Sequence, residues 1–149
     1  MTARAGRRGE TGSALVEFCW LALLLLVPLV YLVLTVFDAQ RASYAAADAA
    51  RVAGRAFLTA PDQATGRARA ELAARLAFAD QHVGFAPRVR VSCRPDPHAC
   101  LSPGAIVTVR VSGSVPLPLV PAVLGGSRPS IRVESVHAAP YGEFREARK

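Results

Sequence analysis

Between Phe18 and Phe37 the chain holds an apolar run of about twenty residues, and from Leu21 to Leu34 it carries no charged or amide side chain. At about 1.5 Å of rise per residue, such a helix covers roughly 30 Å, the thickness of a hydrocarbon core. A segment apolar on every side has no place on a small water-soluble domain, so the run predicts one membrane-spanning helix over residues 13–37. Arg4, Arg7 and Arg8 stand before it against a lone Glu10, whereas Asp38 and Arg41 after it cancel. That asymmetry predicts a single-pass protein of the cytoplasmic membrane, with residues 1–12 as a basic cytoplasmic leader and everything from Asp38 onward extracytoplasmic. A cleaved secretory signal is the competing expectation. The run exceeds the usual apolar core of about 7–15 residues, and bulky Phe37 stands two positions before Ala39, the first small-residue exit. Lipoprotein processing fits no better, because Cys19 follows Phe18 rather than a small residue.

One carboxylate, Glu17, sits at the threshold of this run within Gly12-Ser-Ala-Leu-Val-Glu17-Phe18. A charge near the bilayer costs on the order of 2.5–3.5 kcal/mol even on lenient insertion scales, so an acidic residue there calls for a named partner. Pro28 falls inside the same segment. It lacks an N–H and crowds the carbonyl of Leu24, which predicts a bend that membrane helices tolerate.

Gly12 to Phe18 resembles the type IV prepilin processing site, and more narrowly that of the TadE-like minor pseudopilins of tight-adherence (Flp-type) pilus assembly systems. In that family a prepilin peptidase cuts after a glycine on the cytoplasmic side and leaves glutamate at the fifth mature position with an aromatic at the sixth. The resemblance makes Gly12 the last leader residue, Ser13 the new amino terminus, Glu17 the fifth residue and Phe18 the sixth. It is closest over residues 12–58, and phenylalanine stands where the major Flp pilins prefer tyrosine, which favours a minor component over a shaft subunit. It implies as partners the peptidase, other pilins or pseudopilins, the assembly platform and the lipid bilayer. A new α-amino group at Ser13 would be largely protonated at neutral pH, and Glu17 one turn on could pair with it or with a neighbouring subunit's terminus. The alternative for Glu17 is an interfacial carboxylate within reach of water.

Of the 149 residues, about 110 follow the span, enough for one small domain and too few for a multidomain enzyme. The helix is expected to continue over 38–58, with Asp38–Arg41 and Asp48–Arg51 pairs on a wet face and Ala42, Ala46, Ala50 and Gly54 as a stripe for close packing. Alanine's helix propensity is the simpler account of that stripe. Residues 59–149 read as an α+β domain. Pro61 ends the first helix, Thr59-x-x-Asp62 caps a second over 62–82, and Gly84 stops it; Ala68, Leu72, Leu76, Ala79 and Val83 share one side, and Glu71 pairs with Arg75. The period then changes to two. Val89, Val91 and Cys93 alternate with Arg88, Arg90 and Ser92, and Val107, Val109 and Val111 alternate with Thr108 and Arg110. A third strand from Ile131 to Ala138 slips phase at Ser135 and Val136, which predicts a bulge or strand end. The expected fold is therefore α+β and membrane-anchored: a long N-terminal helix, a second helix and three antiparallel strands.

Cys93 and Cys100 bracket six turn-rich residues, and an extracytoplasmic compartment permits a disulfide between them. A metal site from Cys93, His98 and Cys100 is the rival, but C-x4-H-x-C matches no common zinc spacing and lacks a fourth ligand. Val115 to Leu124 is too apolar for a routine loop and too rich in proline for a central strand, so it should be covered by the domain's own core, membrane or partner subunits. His82, His98 and His137 stand apart, and no phosphate-loop, dinucleotide, nucleophile-elbow or H-E-x-x-H pattern occurs, so neither an enzyme nor a cofactor is expected. The net charge is +7, with arginines scattered along the sequence and no aromatic platforms among them, so nucleic acid is not an expected partner. Together these features predict a non-enzymatic pseudopilin-like protein. The alternatives are a signal-anchored envelope protein whose outer domain binds a ligand, and a membrane-tethered DNA-binding pseudopilin.

Overall fold

A computed structural model of the protein describes residues 11–116 and 130–148. Five elements follow one another: α1 (Thr11–Leu58), α2 (Gln63–Asp80), β1 (Arg88–Arg94), β2 (Ile106–Pro116) and β3 (Ser130–Pro140). The leader before Thr11 and the proline-rich segment from residue 117 lie outside the described residues. The chain divides into two compact units, Met1–Val36 and Phe37–Lys149, and α1 contributes to both.

In the first unit α1 is long and apolar enough to cross a membrane, and its apolar side chains are exposed on every side. It continues through Pro28 as one helix. The polar Thr35 keeps its hydroxyl satisfied by donating to the Tyr31 carbonyl at 2.8 Å, the usual way for a threonine to reside in an apolar helix.

In the second unit the same helix has a single buried face: Ala42, Ala45, Ala46, Ala49, Ala50, Ala53 and Phe57 are all inaccessible to solvent. These positions recur at three- and four-residue steps, the spacing of one helical stripe. The antiparallel sheet has the order β1-β2-β3. Val107, Val109 and Val111 from the central strand and Val133 from β3 join the alanine face in one core, closed by Phe78, Leu101 and Tyr141.

The second helix departs from expectation in three ways. Its cap is Asp62, whose carboxylate accepts from the Thr65 N–H at 2.8 Å and the Thr65 hydroxyl at 2.7 Å, whereas the Thr59 hydroxyl turns back to the Arg55 carbonyl. It stops at Asp80, four residues before Gly84, because Val83 N–H reaches the Phe78 carbonyl at 3.0 Å and His82 N–H reaches that of Ala79 at 2.9 Å. This is the Schellman arrangement, with His82 in the left-handed region (φ 56°) that usually takes glycine. The buried side is Gly66, Ala70, Ala74, Ala77 and Phe78, while Leu72 and Leu76 are 59% and 56% exposed. The helices meet at close range, since a Cβ on Gly66 would come within 2.9 Å of the Phe57 ring, and the leucines are too bulky for that seam.

No bulge interrupts β3: its register with β2 runs unbroken from Ile106↔Pro140 to Pro116↔Ser130. The apparent phase slip has another origin. Ser135 takes an inward position and Val136 an outward one, 48% exposed, because the outer sheet face has no layer packed on it among the described residues. The expected Asp38–Arg41, Asp48–Arg51 and Glu71–Arg75 pairs do not form; the ion pair among the described residues is Arg110 with Glu134 across the sheet. Exposed pairs gain little against the entropy of holding two long side chains.

Candidate functional site

The head of α1 carries the residues singled out for processing and assembly. Helix α1 begins at Thr11, so the bond between Gly12 and Ser13 lies in its first turn, where the leading N–H groups have no intrahelical carbonyl to reach. Positions 13 and 17 are four apart and therefore share a helical face. Glu17 is exposed, and the neighbouring Phe18 is 70% exposed. Around them Leu15, Val16, Trp20 and Leu21 are exposed as well, so the carboxylate stands in a collar of apolar side chains.

The stripe of Ala42, Ala46, Ala50 and Gly54 is buried within the second unit itself. A Cβ added at Gly54 would lie 3.2 Å from the His137 ring and 3.9 Å from a Val109 methyl, which shows the stripe facing the sheet. Close packing is thus accounted for by the chain's own strands. Ala45, Ala49 and Ala53 complete the face that the four-residue spacing traced only in part.

Cys93, at the end of β1, is bonded to Cys100 across a Cα separation of 5.3 Å. The bridge excludes the metal alternative, because both sulfurs are consumed; among the described residues no group of three metal-ligating side chains gathers. The loop it closes is further pinned. Asp96 Oδ1 accepts from the His98 N–H at 2.8 Å, and the Gln63 amide donates to the His98 carbonyl at 2.6 Å, tying the loop to the start of α2. Residues after β3 fold back onto the segment that follows the loop: Tyr141 N–H reaches the Ala105 carbonyl and Arg148 N–H that of Leu101, each at 2.8 Å.

The outer face of the sheet holds charge that sequence order disguises. Arg88, Arg90, Ser92 and Arg94 of β1 are exposed and lie opposite Ser112, Arg110, Thr108 and Ile106 of β2. Those in turn oppose Glu134, Val136, Ala138 and Pro140 of β3, with Arg132 opposite Ser114. Five arginines therefore share one face with a single carboxylate, Glu134. Alternation within each strand already separated Arg88, Arg90 and Arg110 from the valines, but only the pairing register brings them together.

Among the ionisable groups Asp62 has a displaced titration: the N–H and then the hydroxyl of Thr65 hold its carboxylate below the usual aspartate range. This is a capping effect at the start of α2, remote in sequence from Glu17. Comparison with family models, with curated proteins and with solved structures finds no match for this chain.

Proposed function

We propose that the protein is a non-enzymatic, pseudopilin-like component of a tight-adherence pilus or secretion assembly, anchored in the cytoplasmic membrane by α1 and cut by a prepilin peptidase after Gly12. The observation that carries this reading is Glu17 standing five residues after Gly12 at the head of an apolar helix, exposed and without an ion-pair partner among the described residues. A carboxylate so placed is costly in a bilayer and is offset by a cation at the same depth. A protonated amino terminus at Ser13, on this chain or on a neighbouring subunit, supplies one. The layout of α1 agrees with such a role. Its first part exposes apolar side chains, while its last part forms the spine of a small α+β domain that would stand outside the membrane.

Glu17→Ala tests the reading. The variant removes a charge, so the span becomes more apolar and membrane abundance stays at wild-type level, and Gly12 is untouched, so processing continues. Crosslinking to partner subunits and pilus output fall severalfold. Wild-type crosslinking and assembly by Glu17→Ala would reduce the carboxylate to an interfacial bystander.

A further inference from the structure

We propose that the open edge of β1 is a docking site for an extended acidic segment of a partner protein, which adds to the sheet as a further strand with its carboxylates at alternate positions. The order β1-β2-β3 leaves β1 at an edge, and among the described residues its backbone is hydrogen-bonded to β2 alone. The N–H and C=O groups on its other side are therefore free to pair with an added strand. Pro87 and Pro95 bracket β1, and proline has no N–H to offer, so the open edge is the seven residues Arg88–Arg94.

Side chains decide which strand fits. Arg88, Arg90 and Arg94 share the exposed side of β1 with Ser92, while Val89 and Val91 are half-buried on the other. No carboxylate answers these arginines among the described residues, because Glu134 is held by Arg110. A hollow lined by Arg90, Val91, Ser92, Thr108 and Arg110 takes in Arg67 of α2, a further cation without an ion-pair partner among the described residues. Across a ladder, opposite charges stabilise pairing and like charges oppose it. A strand with an acidic residue at every second position therefore matches the arginine side of β1 and turns its other side chains toward the valine side. Charge on an edge strand ordinarily guards it against pairing. Here the guard has one sign: β1 set antiparallel against a second β1 in full register puts Arg88 opposite Arg94, so the edge refuses a copy of itself yet admits an acidic strand. The other edge of the sheet lacks that selectivity, since Arg132 and Glu134 stand together on the exposed side of β3. Nucleic acid would answer the arginines but leave the backbone edge unused.

The site depends neither on cleavage after Gly12 nor on a pilus, so its failure leaves the proposed function standing. The full chain in neutral detergent is titrated with a synthetic peptide of alternating glutamate and threonine as long as β1, and backbone amide hydrogen exchange is followed by mass spectrometry. Exchange over residues 88–94 is expected to slow about tenfold on binding, with residues 130–140 unchanged. A peptide of the same composition with its glutamates grouped together should bind more weakly. Arg90→Glu should weaken binding of the alternating glutamate peptide about tenfold and gain affinity for its lysine counterpart; Arg90→Ser, which removes the charge without reversing it, should lose less. Equal binding of the alternating and grouped peptides without slowed exchange in β1 reduces the edge to a general anion surface and overturns the proposal. Slowed exchange in β3 instead of β1, or in β1 on concentrating the protein without peptide, assigns the pairing to another edge or to a second copy and overturns it as well. Tighter binding of an oligonucleotide than of the alternating peptide assigns the arginines to nucleic acid, with the same result.

Discussion

Helix α1 uses apolar residues in two opposite ways. Between Leu15 and Phe37 it presents large side chains all round, among them Trp20, Leu24 and Phe37 at 70%, 71% and 61% exposure. Between Ala42 and Phe57 it presents almost nothing larger than a methyl group on one face, and that face is wholly buried. Bulk suits a fluid solvent of acyl chains, which conforms to any shape. Small residues suit a fixed neighbour, because they let the helix approach the sheet and α2 until Gly54 and Gly66 each stand where a Cβ would meet a ring at 3.2 Å or less. Hydrophobicity alone would rank the first part as the core. Size and one-sidedness identify the second.

The largest test of this contrast exchanges one large side chain in each part. Phe57→Ala should destabilise the second unit by about 3–5 kcal/mol, since a fully buried ring leaves a cavity between α1 and Gly66. Leu24→Ala, at an exposed position in the first unit, should leave the chemical denaturation midpoint of the second unit unchanged. Comparable losses from both would mean that the two parts of α1 are stabilised in the same way.

A smaller effect comes from the disulfide loop. Replacing Cys93 and Cys100 together by serine should cost about 2–3 kcal/mol by loop-entropy arguments, because the bridge closes a short segment. The Gln63 and Asp96 hydrogen bonds remain to hold the loop, so the variant should fold, with its lower denaturation midpoint as the readout. Nothing in the first unit should respond.

The smallest effect is at the cap of α2. The Asp62 carboxylate is stabilised when folded, so its contribution is complete above the ordinary aspartate value of 3.8 and is lost as the pH falls through the lower folded value. Melting temperature should therefore decline on acidification below 3.8. Asp62→Asn, which keeps the N-cap acceptor but does not titrate, should flatten that part of the profile. An unchanged slope would place the acid sensitivity elsewhere.

Local patterns in the sequence carried the apolar helix, the two valine strands and the cysteine bridge, because each depends on neighbours within a few residues. The buried side of α2 was not legible. Leu72 and Leu76 outrank Ala70 and Ala74 on any hydrophobic scale, and only the tight approach to Phe57 reverses the order. The outer arginine face stayed hidden for a related reason: Arg90, Arg110 and Arg132 are far apart in sequence and meet through strand register. His82 stands where a helix stop usually has glycine, so the sequence signals the end of α2 at Gly84 rather than at its true place. At the head of α1 the motif from Gly12 to Phe18 is legible as spacing, and its chemistry depends on a second partner.

The most direct measurement of the central claim is the intact mass of the native protein extracted from membranes without reductant. Processing between Gly12 and Ser13 predicts a mass lower than that of the unprocessed chain by residues Met1 to Gly12, and lower again by the two hydrogens of the Cys93–Cys100 bridge. A membrane-bound chain that retains Met1, or loses only that residue, would contradict it.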